Sequence, residues 1–171
     1  GPAFALDLIR QLTPALAVLQ QSQPCIAHGA LTVDRIVVAR EGRLVVVEQV
    51  LGSALALLKL PASRLRSDLG LAVPNGADPI ALDAKLDVVQ LGFIALSLAL
   101  GRRLQPAEYP SRIRATLDEF TRADAATSAK LRTWLERALQ VGPRGFANAK
   151  EANEAFLELM AAPTPKPATP A

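Results

Sequence analysis

Asp83-Ala84-Lys85-Leu86-Asp87-Val88-Val89-Gln90-Leu91-Gly92-Phe93-Ile94-Ala95-Leu96-Ser97-Leu98-Ala99-Leu100 is apolar on almost every side of a helix, and Gly101 follows it. A surface helix carries an apolar stripe, whereas one that is apolar all round lies inside a core. The stretch is too long for a strand and shows no alternation. It therefore predicts a central buried helix over 83–100, ended at Gly101 in the manner usual for helix C-termini. Its most apolar part, 91–100, is the longest such run in the chain, well short of the roughly 20 residues that span a bilayer.

On the N-terminal side, Phe4, Leu8, Leu12, Leu16 and Leu19 recur at helical spacing, which predicts a helix over 4–21. Pro14 marks a kink or break in it, and Pro24 ends the element. Residues 36–39 and 44–47 are rich in Val and Ile and flank Arg40-Glu41-Gly42-Arg43. They read as a tight β-hairpin in which Gly42 supplies the positive φ of the turn. A short helix is expected over 53–59. Residues 61–80 are rich in Pro, Gly, Ser and Asp and read as irregular, with one helical turn near 64–69.

On the C-terminal side, helices are expected over 110–120, opened by Pro110-Ser111, over 127–140, and over 148–160. From Ala161 the chain is rich in Pro, Thr, Ala and Lys, the composition of an extended, solvated linker. Gly1-Pro2 has the look of a protease-cleavage remnant. The domain organisation is thus a remnant at 1–3, one domain at 4–160 and a Pro-rich tail at 161–171. No internal repeat is evident.

The 171 residues suit a single domain with a real core. The formal charge is +3, with basic residues scattered rather than clustered, and the chain has one Tyr and one Trp. A nucleic-acid groove needs a basic track and stacking aromatics, so nucleic acid is not expected as a partner. One Cys and one His exclude a His/Cys metal cluster and an intrachain disulfide. Cys25, in an apolar neighbourhood, reads as a small buried hydrophobe. No signal peptide or membrane-inserting segment is read, and a cytoplasmic location is expected.

The order of elements, and four segments within it, resemble the helical C-terminal lobe of eukaryotic-type protein kinases. His28-Gly29-Ala30-Leu31-Thr32-Val33-Asp34-Arg35-Ile36-Val37 is similar to the catalytic loop, His-Arg-Asp-Leu-Lys-Pro-Glu-Asn-Ile-Leu. Glu41 through Val50 resembles the strand that runs into Asp-Phe-Gly. Asp87-Val88-Val89-Gln90-Leu91-Gly92 looks like the Asp-Val-Trp-Ser-Leu-Gly start of the central helix, which closes on Leu100-Gly101-Arg102-Arg103. Arg144-Gly145-Phe146 resembles the Arg-Pro-Ser segment before the last helix. The resemblance implies a mainly α, kinase C-lobe-like domain with one β-hairpin.

It also implies lost chemistry. Phosphoryl transfer needs a phosphate cradle, metal ligands and a carboxylate to accept the hydroxyl proton. The catalytic Asp position is Ala30, the Lys position is Thr32, and the metal-binding Asn position is Arg35, a fixed cation that repels Mg²⁺. Glu48 matches the Asp of Asp-Phe-Gly, but Gln49 and Val50 replace its neighbours. The Gly-rich loop, strand Lys and helix Glu of the N-terminal lobe have no counterpart before Phe4. No enzyme activity, metal or cofactor is therefore expected. The retained residues read as architectural: His28 packing under the metal motif, Asp87 bracing the loop through backbone N–H groups, and Arg144 near the last helix. Asp87 alternatively reads as an ordinary acid at a helix N-terminus.

The expected function is a non-catalytic, pseudokinase-like scaffold or adaptor domain. The Ala/Arg/Leu/Val-rich composition suggests a GC-rich, bacterial genome. The segment after Glu48 is apolar, and Leu51, Leu55, Leu57 and Leu58 are the expected partner-binding residues. They would serve a protein partner or a homodimer through the face that an N-terminal lobe would cover. The alternative is a ligand-sensing domain holding a small anion or nucleotide fragment around His28, Arg35 and Glu48.

Overall fold

The computed structural model describes residues 1–22, 27–76, 79–123 and 125–161. Pro24, Cys25 and the tail from 162 lie outside the described residues. The fold is mainly helical, with seven helices and one two-stranded antiparallel hairpin among the described residues.

The first helix, α1 (Pro2–Ser22), buries Ala5, Leu8, Ile9, Leu12, Leu16 and Ala17 on one face. It begins within the residues set aside as a remnant, and it passes through Pro14 without a break. An interior proline costs about 3 kcal/mol. Burial of Leu12, Thr13, Leu16 and Ala17 on both sides of Pro14 offsets that cost. Thr13 is pinned twice, its hydroxyl lying 2.7 Å from the Ile9 carbonyl and 3.0 Å from Asn153 Oδ1. By length and composition α1 is also long and apolar enough to cross a membrane, unlike the shorter apolar run at 91–100. In this fold its buried face lies against the fourth and seventh helices.

The hairpin pairs β1 (Ile36–Val38) with β2 (Leu44–Val46) in the register Ile36↔Val46, Val37↔Val45, Val38↔Leu44. Gly42 takes φ +76 in the turn, and Glu41 before it is left-handed too, at φ 66. Gln11 of α1 anchors the hairpin from below: its Oε1 accepts from Leu44 N at 2.9 Å and its Nε2 donates to Gly42 O at 3.2 Å.

Two short helices follow, α2 (Leu51–Leu58) and α3 (Ala62–Ser67). Then comes α4 (Ala84–Leu100), capped by Asp83, whose Oδ1 accepts from Leu86 N at 2.9 Å. Every residue from Leu86 to Leu96 is buried, so α4 is the central element of the core. The fifth helix, α5 (Ile113–Ala123), starts three residues later than Pro110-Ser111 suggested. The chain first makes a turn at Pro106–Glu108 and a second in which Ile113 N donates to Pro110 O. The last two helices are α6 (Ala125–Ala138) and α7 (Ala149–Ala161).

An aromatic cluster locks α6 to α7. Trp134 lies 5.7 Å from Phe146 and 6.3 Å from Phe156 between ring centroids, and its indole N–H donates to Ala152 O at 2.9 Å. The arginine that organises this corner is Arg137, not Arg144. Arg137 stacks on Phe146 at 4.1 Å, pairs with Glu151 at 3.0 Å, and donates to the Arg144 carbonyl at 3.1 Å. The Arg144 side chain is exposed, and its contribution here is its backbone.

Candidate functional site

Asp87 sits in the first turn of α4, fully buried. Its Oδ2 accepts from His28 N at 2.9 Å and its Oδ1 from Gly29 N at 2.6 Å. Gln20 Nε2 at the end of α1 adds a third donor at 3.0 Å. Burial pushes the Asp87 carboxyl above its ordinary value; the donors from Gly29, Gln20 and His28 act in the opposite direction. One helix turn on, Gln90 holds the same loop: its Oε1 accepts from Leu31 N at 2.7 Å and its Nε2 donates to Gly29 O at 3.3 Å. Spacing of three residues puts both side chains on one face of α4, so the loop 28–31 is pinned by two side chains of a rigid helix.

The loop in turn meets the hairpin. His28 is fully buried, and its Nε2 lies 2.9 Å from Val47 O. A carbonyl only accepts, so Nε2 carries the proton, and Nδ1 is left to accept from Ala30 N at 3.4 Å. Both imidazole nitrogens are thus spent on backbone.

Arg35 and Glu48 complete the cluster. Arg35 Nε lies 2.7 Å from Glu48 Oε2, and its Nη1 donates to Ala30 O and to Thr32 Oγ1, each at 3.1 Å. Ala30 and Thr32 are buried, Arg35 is nearly so, and Glu48 is exposed. One guanidinium therefore joins three of the four positions expected to be degenerate to the fourth, its own. Glu48 holds a left-handed backbone, φ 63, while Val50 is right-handed at φ −88, so the unusual conformation falls on Glu48. The carboxylate is answered by a side chain, and no cluster of three or more metal-ligating residues occurs among the described residues.

The expected partner-binding leucines separate into two sets. Leu55, at 6% exposure, belongs to the chain's own core rather than to an outer face, and Leu51 is half-buried. Leu57 and Leu58 face outward at 83% and 63% exposure. The inner side of α2 is set by Gly52, where an added Cβ would lie 2.0 Å from the His28 carbonyl oxygen. Helix backbone thus lies directly on loop backbone.

Sequence reasoning missed Gln20, Gln90 and Arg137. For Gln90 a signal was present, a lone amide inside an otherwise apolar helix three residues after Asp87. Gln20 bonds Asp87, Ala84 O and Ala149 N across more than sixty residues of sequence, a relation that no local pattern carries. No protein-family model matches this chain, and no curated protein and no solved structure matches it either.

Proposed function

We propose that residues 4–160 form a non-catalytic, pseudokinase-like interaction domain that binds a protein partner, with a second copy of itself as the simplest case. The observation that carries the reading is the closed circuit at Ala30, Thr32, Arg35 and Glu48: the positions that would bind metal and take a proton hold each other instead. The kinase-lobe resemblance is supported by where its quoted segments meet. Residues 28–37, 41–50 and 87–92 are distant in sequence and share one hydrogen-bonded cluster around His28 and Asp87. The ligand-sensing alternative is disfavoured by the same pairings: both ring nitrogens of His28 meet backbone, and Arg35 already holds Glu48, Ala30 O and Thr32 Oγ1.

The binding surface follows from exposure. Of the ten large apolar side chains exposed among the described residues, Val37 and Val38 come from the hairpin, Leu57 and Leu58 from α2, and Val50 from the position just before α2. In the kinase architecture that face lies beneath the N-terminal lobe. A stable contact through it would bury more than about 1,000 Å².

Sedimentation velocity of the wild type and of a Leu57→Glu, Leu58→Glu variant tests the surface. We expect a wild-type dimer that the double variant returns to monomer without loss of helicity. A wild type monomeric at high concentration removes the self-association version. Radiolabelled ATP with Mg²⁺ or Mn²⁺ tests the other half of the reading: no transfer is expected, and any incorporation abolished by Glu48→Ala overturns it.

A further inference from the structure

A cavity of about 740 Å³ opens beside the start of α1, the loop after Leu31, α3 and the C-terminal half of α4. Its size lies in the range of sites for small organic ligands, roughly 300–1,000 Å³. Phe4, Leu31, Phe93, Ile94, Leu98 and Leu104 make its apolar wall.

Most polar side chains on that wall are already committed. Gln90 is spent on the loop backbone. Ser97 Oγ donates to Arg102 O at 2.6 Å and accepts from Leu104 N at 3.1 Å. Arg102 is answered by Glu108 and Glu119, and Arg103 by Asp34.

Arg66 differs from the other two arginines. Its Nη2 donates to Val73 O at 2.9 Å, to Pro74 O at 3.0 Å and to the Asn75 side-chain oxygen, all neutral acceptors. Its Nε is buried with no partner, and no carboxylate pairs with it among the described residues. The neighbouring carboxylate, Asp68, is taken by Arg64 and Ser67. Among the described residues this positive charge meets only neutral dipoles, beside an apolar cavity, an arrangement that an anion would complete.

We propose that this cavity binds an amphipathic monoanion, a hydrocarbon chain ending in a carboxylate, with the chain against the Phe93–Leu98 side of α4 and the carboxylate on Arg66. The one wall guanidinium that no carboxylate of the described residues answers matches one negative charge, and the apolar wall matches a hydrocarbon body. The inference stands apart from the kinase-like reading, because it uses neither the Arg35–Glu48 pair nor the outer face of α2.

Isothermal titration of the full chain with decanoate, below its micelle concentration, is the test, with decanol and acetate as controls. Saturable one-to-one binding of decanoate is expected. Decanol, with the same chain and no charge, should bind at least tenfold more weakly, and acetate should not bind. Arg66→Gln should weaken decanoate at least tenfold, and Arg64→Gln, at an exposed neighbour already paired with Asp68, should leave it unchanged. Circular dichroism checks that Arg66→Gln is folded; if it is not, the decanoate–decanol comparison on the wild type decides alone. Absence of saturable binding, equal binding of decanol, or several decanoates per chain overturns the proposal.

Discussion

Asp87 shows how one side chain can carry a loop. It is fully buried, with no cationic side chain of the described residues bonded to it, and is held by two backbone N–H groups and one amide. Removing an acceptor strands buried donors, which costs about 1–3 kcal/mol. Asp87→Ala is therefore expected to lower the urea-derived stability by about that amount; an unchanged midpoint and slope would show that the loop does not depend on it. Its bracing role was expected from the resemblance of Asp87-Val88-Val89-Gln90-Leu91-Gly92 to the start of a kinase central helix; by itself an acid at a helix start reads only as favourable to the dipole. Arg144 rested on a resemblance three residues long; its side chain is exposed, and the stacking and ion pair that organise the corner belong to Arg137, seven residues earlier.

At the scale of elements, the helices and the hairpin were legible because periodicity and turn chemistry are local. Boundaries moved where tertiary contacts took over, as at Pro14, where a continuous buried face carries α1 through a residue that breaks isolated helices. The inward side of α2 was not legible. Val50-Leu51-Gly52-Ser53-Ala54-Leu55 carries no polar side-chain group but the Ser53 hydroxyl, and nothing in it says that Gly52, rather than a leucine, makes the closest contact. A Cβ at Gly52 would also lie 2.9 Å from Gly29 Cα, and Gly29 itself is left-handed at φ +68. Gly52→Ala must therefore push α2 off the loop. Overpacking of this kind costs about 1–3 kcal/mol. We expect that loss in chemical denaturation, together with faster amide exchange over 51–58, whereas Ala54→Gly, at an exposed position of the same helix, should cost no more than about 1 kcal/mol. Equal effects would mean that the close approach is not a constraint.

The whole molecule is read through its single tyrosine. Tyr109 packs edge-on against Phe93 of α4 at 6.4 Å and donates from its hydroxyl to Leu139 O at 3.2 Å, tying the turn after α4 to the end of α6. Burial pushes its phenol up to about 12, from the usual value near 10. A raised value means that the native state holds the proton more tightly than the unfolded chain does. This contribution to stability is present in full below pH ~10 and is lost as pH rises toward ~12. Absorbance at 295 nm should accordingly show one transition well above pH 10 in buffer and near 10 in concentrated urea, and Tyr109→Phe should flatten the alkaline loss of stability. A native midpoint at 10 would refute this packing. The closure at the candidate site has a consequence in time as well. Arg35 supports Ala30, Thr32 and Glu48 at once, so exchanging it for the shorter, neutral asparagine would release two loop contacts together and leave the exposed Glu48 carboxylate to water. A change at that one guanidinium is therefore felt at three places in the same instant, and none of the three can be released while the others keep their hold.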